Sequence, residues 1–60
     1  MNLPKDPYIL LSYINTKLRD EFHSLDALCE SLEIDPHEIK IQLSSIDYIY
    51  TKELNKFTAI

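Results

Sequence analysis

The sequence predicts a mainly α-helical fold, in which a three-helix bundle is followed by a C-terminal β-hairpin. Three segments carry apolar residues at helical spacing, and each begins with a residue type that caps helices. After position 47 the apolar residues change from helical spacing to the two-residue period of a strand. Helices 2 and 3 have the spacing of a helix-turn-helix pair, so the predicted architecture is winged-helix-like.

A chain of 60 residues is expected to form one domain, spanning residues 1-60. Because 45% of the residues are hydrophobic and regularly spaced, we expect a folded chain. The predicted elements are an extended arm over 1-6, helices over about 7-21, 25-32 and 36-46, and hairpin strands over about 48-51 and 56-59.

The composition argues against several classes of protein. The chain has no glycine, which excludes the glycine-rich loops that bind phosphates and dinucleotides. Ten acidic residues against six basic ones give a net charge of −4, which argues against affinity based on phosphates or anionic lipid. A single cysteine, Cys29, cannot form an intrachain disulfide, and no run of about 18 apolar residues could span a bilayer. We therefore expect a cytoplasmic protein.

Prolines mark the arm and the start of helix 1. Pro4 and Pro7 disfavour helical geometry in the residues that precede them, so residues 1-6 are predicted to be extended. Asp6 can cap the first turn of helix 1, and Pro7 occupies the first helical position, where its missing N–H costs nothing. The apolar residues predicted to face the core, with Tyr8 at the margin, are Leu10, Leu11, Ile14, Leu18 and Phe22.

Helix 1 also carries a second, smaller apolar patch. Ile9 and Tyr13, joined by Thr16, lie roughly opposite the core face, so one core cannot account for them. Exposed apolar surface on a small protein commonly marks a protein contact. The alternative, equally weighted, is that the arm, through Met1 and Leu3, or the chain end, through Ala59 and Ile60, covers this patch.

Helices 2 and 3 have clear starts. Ser24 is predicted to cap helix 2, and Asp35 to cap helix 3 with Pro36 at its first position. The buried residues are predicted to be Leu25, Leu28, Cys29 and Leu32 in helix 2, and Ile39, Leu43 and Ile46 in helix 3. Ile41 falls outside the buried stripe of helix 3, so it is predicted to be exposed or part of an interface.

The predicted hairpin places Tyr48 and Tyr50 on one strand face, packed with Phe57 against the helices, while Ile49 points away. Without glycine, any left-handed backbone must fall to other residue types. We expect such residues where helices end and where the hairpin turns. The four predicted positions are His23, Glu33, Asp47 and Asn55.

The helix-turn-helix spacing raises the possibility of nucleic-acid binding. The residues available for contact on helix 3 and the hairpin are Lys40, Gln42, Ser44, Lys52 and Lys56. They are few, and each phosphate contact needs a cation, so this acidic chain would bind weakly. The alternative predicts that Lys40, Lys52 and Lys56 form one basic strip beside helix 3.

Protein contact is the favoured hypothesis, and its predicted interface comprises Ile9, Tyr13, Thr16, Ile41 and Ile49. No metal, cofactor or catalytic residue is indicated. His23, Cys29 and His37 match no zinc-ligand spacing, and the acidic pairs lie on predicted solvent faces. Tyrosine stacking on single-stranded bases is disfavoured because few cations flank the tyrosines.

One set of residues spans nearly the whole chain: Met1-Asn2-Leu3-Pro4-Lys5-Asp6-Pro7, Leu10-Leu11-Ser12, Asn15-Thr16-Lys17-Leu18-Arg19-Asp20, Ser24-Leu25, Leu28-Cys29, Leu32, Ile34-Asp35, Leu43, Ser45-Ile46, Tyr48, Tyr50 and Asn55-Lys56-Phe57. It closely resembles a family of short bacterial proteins called domain of unknown function 4250. The resemblance implies a stand-alone protein of about this length and assigns no activity. Asp47 departs from the family pattern, which has glycine there.

The sequence therefore favours a small non-enzymatic protein-interaction module that self-associates, as a possible homodimer. The alternative is a weak nucleic-acid-binding or transcription-associated winged helix-turn-helix protein. Neither hypothesis requires a cofactor, a membrane or a small-molecule substrate.

Overall fold

A computed structural model describes residues 3–60 and confirms the predicted fold class, three helices followed by an antiparallel hairpin. The elements in chain order are α1 (Pro7–Asp20), α2 (Leu25–Leu32), α3 (Pro36–Ser44), β1 (Tyr48–Thr51) and β2 (Lys56–Ala59). α3 ends two residues before the predicted boundary at 46. The main chain tightens there, with N–H groups donating to carbonyls three residues back, before Asp47 turns the chain. Residues 1 and 2 of the predicted arm lie outside the described residues.

Each helix begins at its predicted cap. The Asp6 carboxylate accepts from the N–H groups of Tyr8 and Ile9, at 2.8 and 3.4 Å. The Ser24 hydroxyl accepts from the N–H of Ala27 at 3.0 Å. Asp35 plays the same part for α3, accepting from the N–H of residue 37 at 2.9 Å. These bonds satisfy main-chain donors that have no partner inside their own helix.

Three of the four predicted left-handed positions have positive φ. Glu33, Asp47 and Asn55 have φ of 56, 62 and 50°, and they are the positive-φ residues of the described chain. The prediction for His23 is wrong. α1 ends at Asp20 and is capped by Glu21, whose φ is −126°, and two successive N–H groups, from residues 21 and 22, donate to the Lys17 carbonyl. The chain leaves α1 without needing left-handed backbone.

One hydrophobic core joins the three helices and the hairpin. Its fully or nearly fully buried members are Leu10, Ile14, Leu18, Leu25, Leu28, Cys29, Ile39, Leu43 and Phe57. The predicted core residues Leu11, Phe22, Leu32 and Ile46 are partly buried and pack against it. No helix formed by residues 3–60 is long and apolar enough to cross a membrane.

The hairpin pairs Tyr48 with Ala59, Ile49 with Thr58, Tyr50 with Phe57 and Thr51 with Lys56. The Tyr50 and Phe57 rings are 5.5 Å apart between centroids and pack on the helix side, as predicted. Ile49 points to the opposite face and is exposed. The side chain of Asn15 on α1 bonds the main chain of Phe57 and so holds β2 against α1.

Asn55 connects the hairpin turn to the helices. Its Nδ2 donates to the carbonyls of Leu18 and Phe22, at 3.1 and 2.9 Å, near the end of α1. Its Oδ1 accepts from the Tyr50 hydroxyl at 2.6 Å, and that hydroxyl accepts from the Leu25 N–H at 3.3 Å. One turn residue and one tyrosine thus join α1, α2 and the hairpin.

Candidate functional site

A groove of about 450 Å³ lies between α3 and β1, and we call it the α3–β1 groove. It is lined by His37, Lys40, Ile41 and Ser44 from α3, by Tyr48, Ile49 and Tyr50 from β1, and by Phe57 from β2. The four α3 residues are spaced three and four positions apart, so they lie along one side of the helix. None of the residues lining the groove is acidic.

Two exposed isoleucines border this groove. Ile41 is 57% exposed and Ile49 is 49% exposed. Ile41 lies outside the buried stripe that Ile39 and Leu43 form on α3, and Ile49 lies on the hairpin face opposite the core. Their exposure therefore follows from the same helical and strand periods that bury their neighbours. Together they form an apolar surface beside a concave site.

The groove also runs along an unpaired strand edge. In an antiparallel pair, hydrogen-bonded and non-hydrogen-bonded residue pairs alternate. The Ile60 N–H donates to the Asp47 carbonyl at 2.8 Å, so Asp47 and Ile60 form a hydrogen-bonded pair. The pairs Tyr48–Ala59 and Tyr50–Phe57 are then non-hydrogen-bonded. The main-chain groups of Tyr48 and Tyr50 therefore point away from β2. Within residues 3–60, no donor or acceptor bonds these N–H and C=O groups.

The other edge of the sheet differs. By the same alternation the N–H and C=O groups of Phe57 point away from β1. The Asn15 side chain bonds both groups, and its Nδ2 donates to the Phe57 carbonyl oxygen at 3.1 Å. The Phe57 N–H donates to Asn15 Oδ1 at 2.8 Å. The hairpin therefore has one edge occupied at its centre and one edge available to a further strand.

Positive charge collects at the Tyr50 end of the groove. Lys40 lines the groove and also lines a smaller neighbouring pocket with Lys52, Asp26 and Tyr50. The ion pairs of the described chain lie elsewhere, at the C-terminal end of α1, between Lys17 and the capping residue Glu21 and between neighbouring residues 19 and 20. Lys40 and Lys52 thus remain available to a carboxylate from outside the chain.

The structure places the five residues of the predicted protein interface on different elements and beside different clefts. Ile41 and Ile49 line the α3–β1 groove. Thr16 lines a separate cleft between α1 and the hairpin turn. Ile9 is 58% exposed on α1, whereas Tyr13 is partly buried against the core, with the Lys17 ammonium 5.7 Å from its ring centroid.

The predicted nucleic-acid contacts are also divided. Lys40 and Ser44 line the groove, and Lys52 lies beside Lys40. Lys56 lines the cleft next to α1, away from α3. Gln42 is bonded internally, because its Nε2 donates to the carbonyls of residues 4 and 5 at 3.3 and 3.0 Å and holds the arm against α3. The single basic strip expected beside helix 3 therefore contains two of its three lysines.

Comparison with protein-family models gives a match to the family described as Domain of unknown function (DUF4250), over residues 4–57. The chain belongs to the DUF4250 family. No curated protein and no solved structure matches it. The matched range includes all three helices, β1 and the first two residues of β2, and the family description names no activity.

The one thiol of this DUF4250 chain, Cys29, does not line the groove. Cys29 is only 3% exposed and lies in the core, where burial raises the pKa of its thiol, helped by the negative charges of Asp26 and Asp35. A neutral, buried thiol is a poor nucleophile. Among residues 3–60, no three His, Cys, Asp or Glu side chains are grouped so that they could hold a metal ion.

Sequence reasoning missed the strand edge. The sequence predicts that the side chains of Tyr48 and Tyr50 pack against the helices, and both do pack against the core. That prediction concerns side chains alone, whereas the main chain of a two-stranded hairpin always has two outer edges. The alternation of hydrogen-bonded pairs, counted from the turn at residues 52–55, could have identified these two residues from the predicted register.

Proposed function

We propose that this DUF4250 chain is a small, non-enzymatic protein-interaction domain that self-associates, and that the α3–β1 groove is its contact surface. The observation that carries the proposal is the meeting of two exposed isoleucines with an unpaired strand edge in one groove. Exposed apolar surface beside unpaired main-chain groups is a typical site of protein contact.

The groove is a better contact surface than the patch on α1. Ile9 is about as exposed as Ile41, 58 against 57%, but it lines neither the α3–β1 groove nor the cleft between α1 and the hairpin turn. Tyr13 is already partly covered by the core. An exposed isoleucine contributes to binding chiefly when a partner can enclose it, and the groove provides that shape.

The expected affinity is modest. Fully burying an isoleucine side chain contributes about 1.5–3 kcal/mol, and Ile41 and Ile49 are each about half exposed. Covering both in two copies would contribute on the order of 4 kcal/mol, and association itself costs about that much or more. Main-chain hydrogen bonds are therefore needed as well, and we expect dissociation constants in the micromolar to millimolar range.

The decisive experiment is sedimentation equilibrium of the full chain up to about 1 mM, with two matched variants. Ile41→Glu places a charge in the groove, and Ile9→Glu places the same charge on an equally exposed residue of α1. We expect wild type and Ile9→Glu to associate and Ile41→Glu to remain monomeric. Loss of association in Ile9→Glu alone would move the contact surface to α1, and a strictly monomeric wild type would overturn self-association.

Nucleic-acid binding is the second candidate function. It is supported by the adjacency of Lys40 and Lys52 next to the exposed side of α3. It is opposed by the net charge of −4 and by the internal bonding of Gln42. Fluorescence anisotropy with a labelled DNA duplex at about 50 mM salt tests it. Binding that the double variant Lys40→Ala, Lys52→Ala removes would support this function, and its absence would exclude it.

The proposal includes a cytoplasmic location. Cys29 is free and buried, which is the ordinary state of a thiol in a reducing compartment.

A further inference from the structure

We propose that the free edge of β1 pairs with β1 of a second copy of this chain, antiparallel and centred on Ile49, so that two hairpins form one four-stranded sheet. The inference rests on the proposed self-association and specifies its geometry. It uses the main-chain groups of Tyr48 and Tyr50, which face away from β2 and have no partner within residues 3–60.

The edge is complementary to itself. Under a two-fold axis at Ile49, Tyr48 of one copy lies opposite Tyr50 of the other. Both residues direct N–H and C=O groups outward, so each of the two symmetry-related pairs can exchange two hydrogen bonds, as antiparallel strands do. A symmetric dimer needs one surface that matches itself in this way.

The same axis covers the exposed isoleucines. The Ile49 side chains of the two copies become a directly opposed, non-hydrogen-bonded pair, in which side chains lie closest together. Ile41 lines the same groove from the α3 side. Both of the exposed apolar residues at the groove therefore border the new contact.

Charge selects a second copy of this chain as the occupant. In this register Asp47 of one copy lies opposite Thr51 of the other, next to Lys52 and at the end of the groove where Lys40 lies. Asp47 is exposed, and none of these three charged residues belongs to an ion pair of the described chain. Symmetry repeats the attraction at the other end of the paired strands.

Amide hydrogen exchange measured by NMR at about 50 µM and 1 mM tests the pairing. We expect exchange of the Tyr48 and Tyr50 amides to slow by about two- to fourfold between these concentrations, because it follows the falling fraction of monomer, while Ile49 and Thr51, which already face β2, change little. If the chain associates without this protection, the strand pairing is overturned while self-association stands. If wild type stays monomeric and these amides stay unprotected, a second copy is not the occupant and both proposals fail.

A pair of charge variants tests the occupant independently. Asp47→Asn removes the charge but keeps a residue type that tolerates left-handed backbone. Glu30→Gln makes the same change in net charge on α2, outside the groove. We expect Asp47→Asn to weaken dimerisation by about 2- to 10-fold, and Glu30→Gln to leave it unchanged or strengthen it slightly. Equal effects of the two variants would overturn the predicted contact between Asp47 and the lysines.

Discussion

Asn15 bonds both main-chain polar groups of Phe57, a residue 42 positions further along the chain. The side-chain amide offers one donor and one acceptor in the spacing that a neighbouring strand would offer, so it occupies the edge of β2 from a helix. This long-range contact links the first helix to the last strand. It orders the hairpin relative to the bundle and thereby helps to position the α3–β1 groove.

Replacing Asn15 with alanine is expected to destabilise the fold by about 1–3 kcal/mol, because it leaves a partly buried N–H and C=O of Phe57 without partners. Chemical denaturation measures the loss. Ser12→Ala is the control, since Ser12 is an exposed residue on the same helix and its replacement should change the free energy of unfolding by less than about 0.5 kcal/mol. Equal effects would show that the bonds to Phe57 contribute little.

Removing the Tyr50 hydroxyl should also destabilise the fold. Tyr50→Phe keeps the ring that packs on Phe57 but deprives the Leu25 N–H of its acceptor and Asn55 Oδ1 of its donor. We expect a loss of about 1–2 kcal/mol in the free energy of unfolding, measured by urea denaturation. Tyr8→Phe is the matched control, because the Tyr8 side chain is 64% exposed. Indistinguishable variants would contradict a structural part for the Tyr50 hydroxyl.

Glycine should stabilise the chain at one left-handed residue. Glu33 caps α2 at φ 56° and ψ 47°, a conformation that is costly for a residue with a Cβ atom. Glu33→Gly is therefore expected to raise the free energy of unfolding by up to about 1 kcal/mol. Glu30→Gly, inside the same helix, should instead lower it by about 1 kcal/mol. Thermal and urea denaturation of both variants measure whether the free energy of unfolding rises or falls.

At Asn55 the same change should have the opposite effect. Asn55 is also left-handed, at φ 50°, but its side chain makes three hydrogen bonds, with Leu18 in α1, with Phe22 just beyond α1 and with Tyr50. Asn55→Gly is expected to destabilise the chain by about 1–3 kcal/mol in a urea titration, because the loss of the side-chain hydrogen bonds outweighs the relief of strain in the left-handed backbone. A stabilised Asn55→Gly variant would mean that these bonds are not formed in solution.

The buried thiol predicts a pH dependence. Burial raises the pKa of Cys29 above its ordinary value of 9.0, so folding favours the neutral thiol. This contribution to stability is complete below the pKa of the unfolded chain and is lost as the pH rises through the folded pKa. The stability advantage of wild type over Cys29→Ala should therefore shrink between about pH 7 and pH 10.5. If urea titrations give the same difference in unfolding free energy between wild type and Cys29→Ala at both pH values, this prediction is wrong.

Local rules were sufficient to predict the helix starts and most of the turns. Capping by Asp6, Ser24 and Asp35 depends on residues two or three positions away, and left-handed backbone at Glu33 and Asp47 follows from the need to end helices without glycine. The periods of apolar residues also predicted the core and the exposed isoleucines. These properties depend on the residue and its close neighbours in the chain.

The contacts that order the site could not be predicted in this way. Nothing local indicates that Asn15 bonds Phe57, or that Gln42 bonds the arm, because both contacts join residues about 40 positions apart. The prediction for His23 failed for a related reason. The end of α1 is bonded by the side chain of Asn55 from the hairpin, so the chain there follows tertiary contacts and needs no special turn residue.

The inequality of the two sheet edges limits how far strand pairing can proceed. A hairpin with two free edges could add copies without end and grow into a fibril, but here Asn15 blocks the centre of the β2 edge. Pairing through β1 uses the one open edge of each copy and is therefore self-limiting at two. In the proposed dimer, the Asn15 side chain would therefore stop polymerisation, and its loss would expose a second edge at which copies could add.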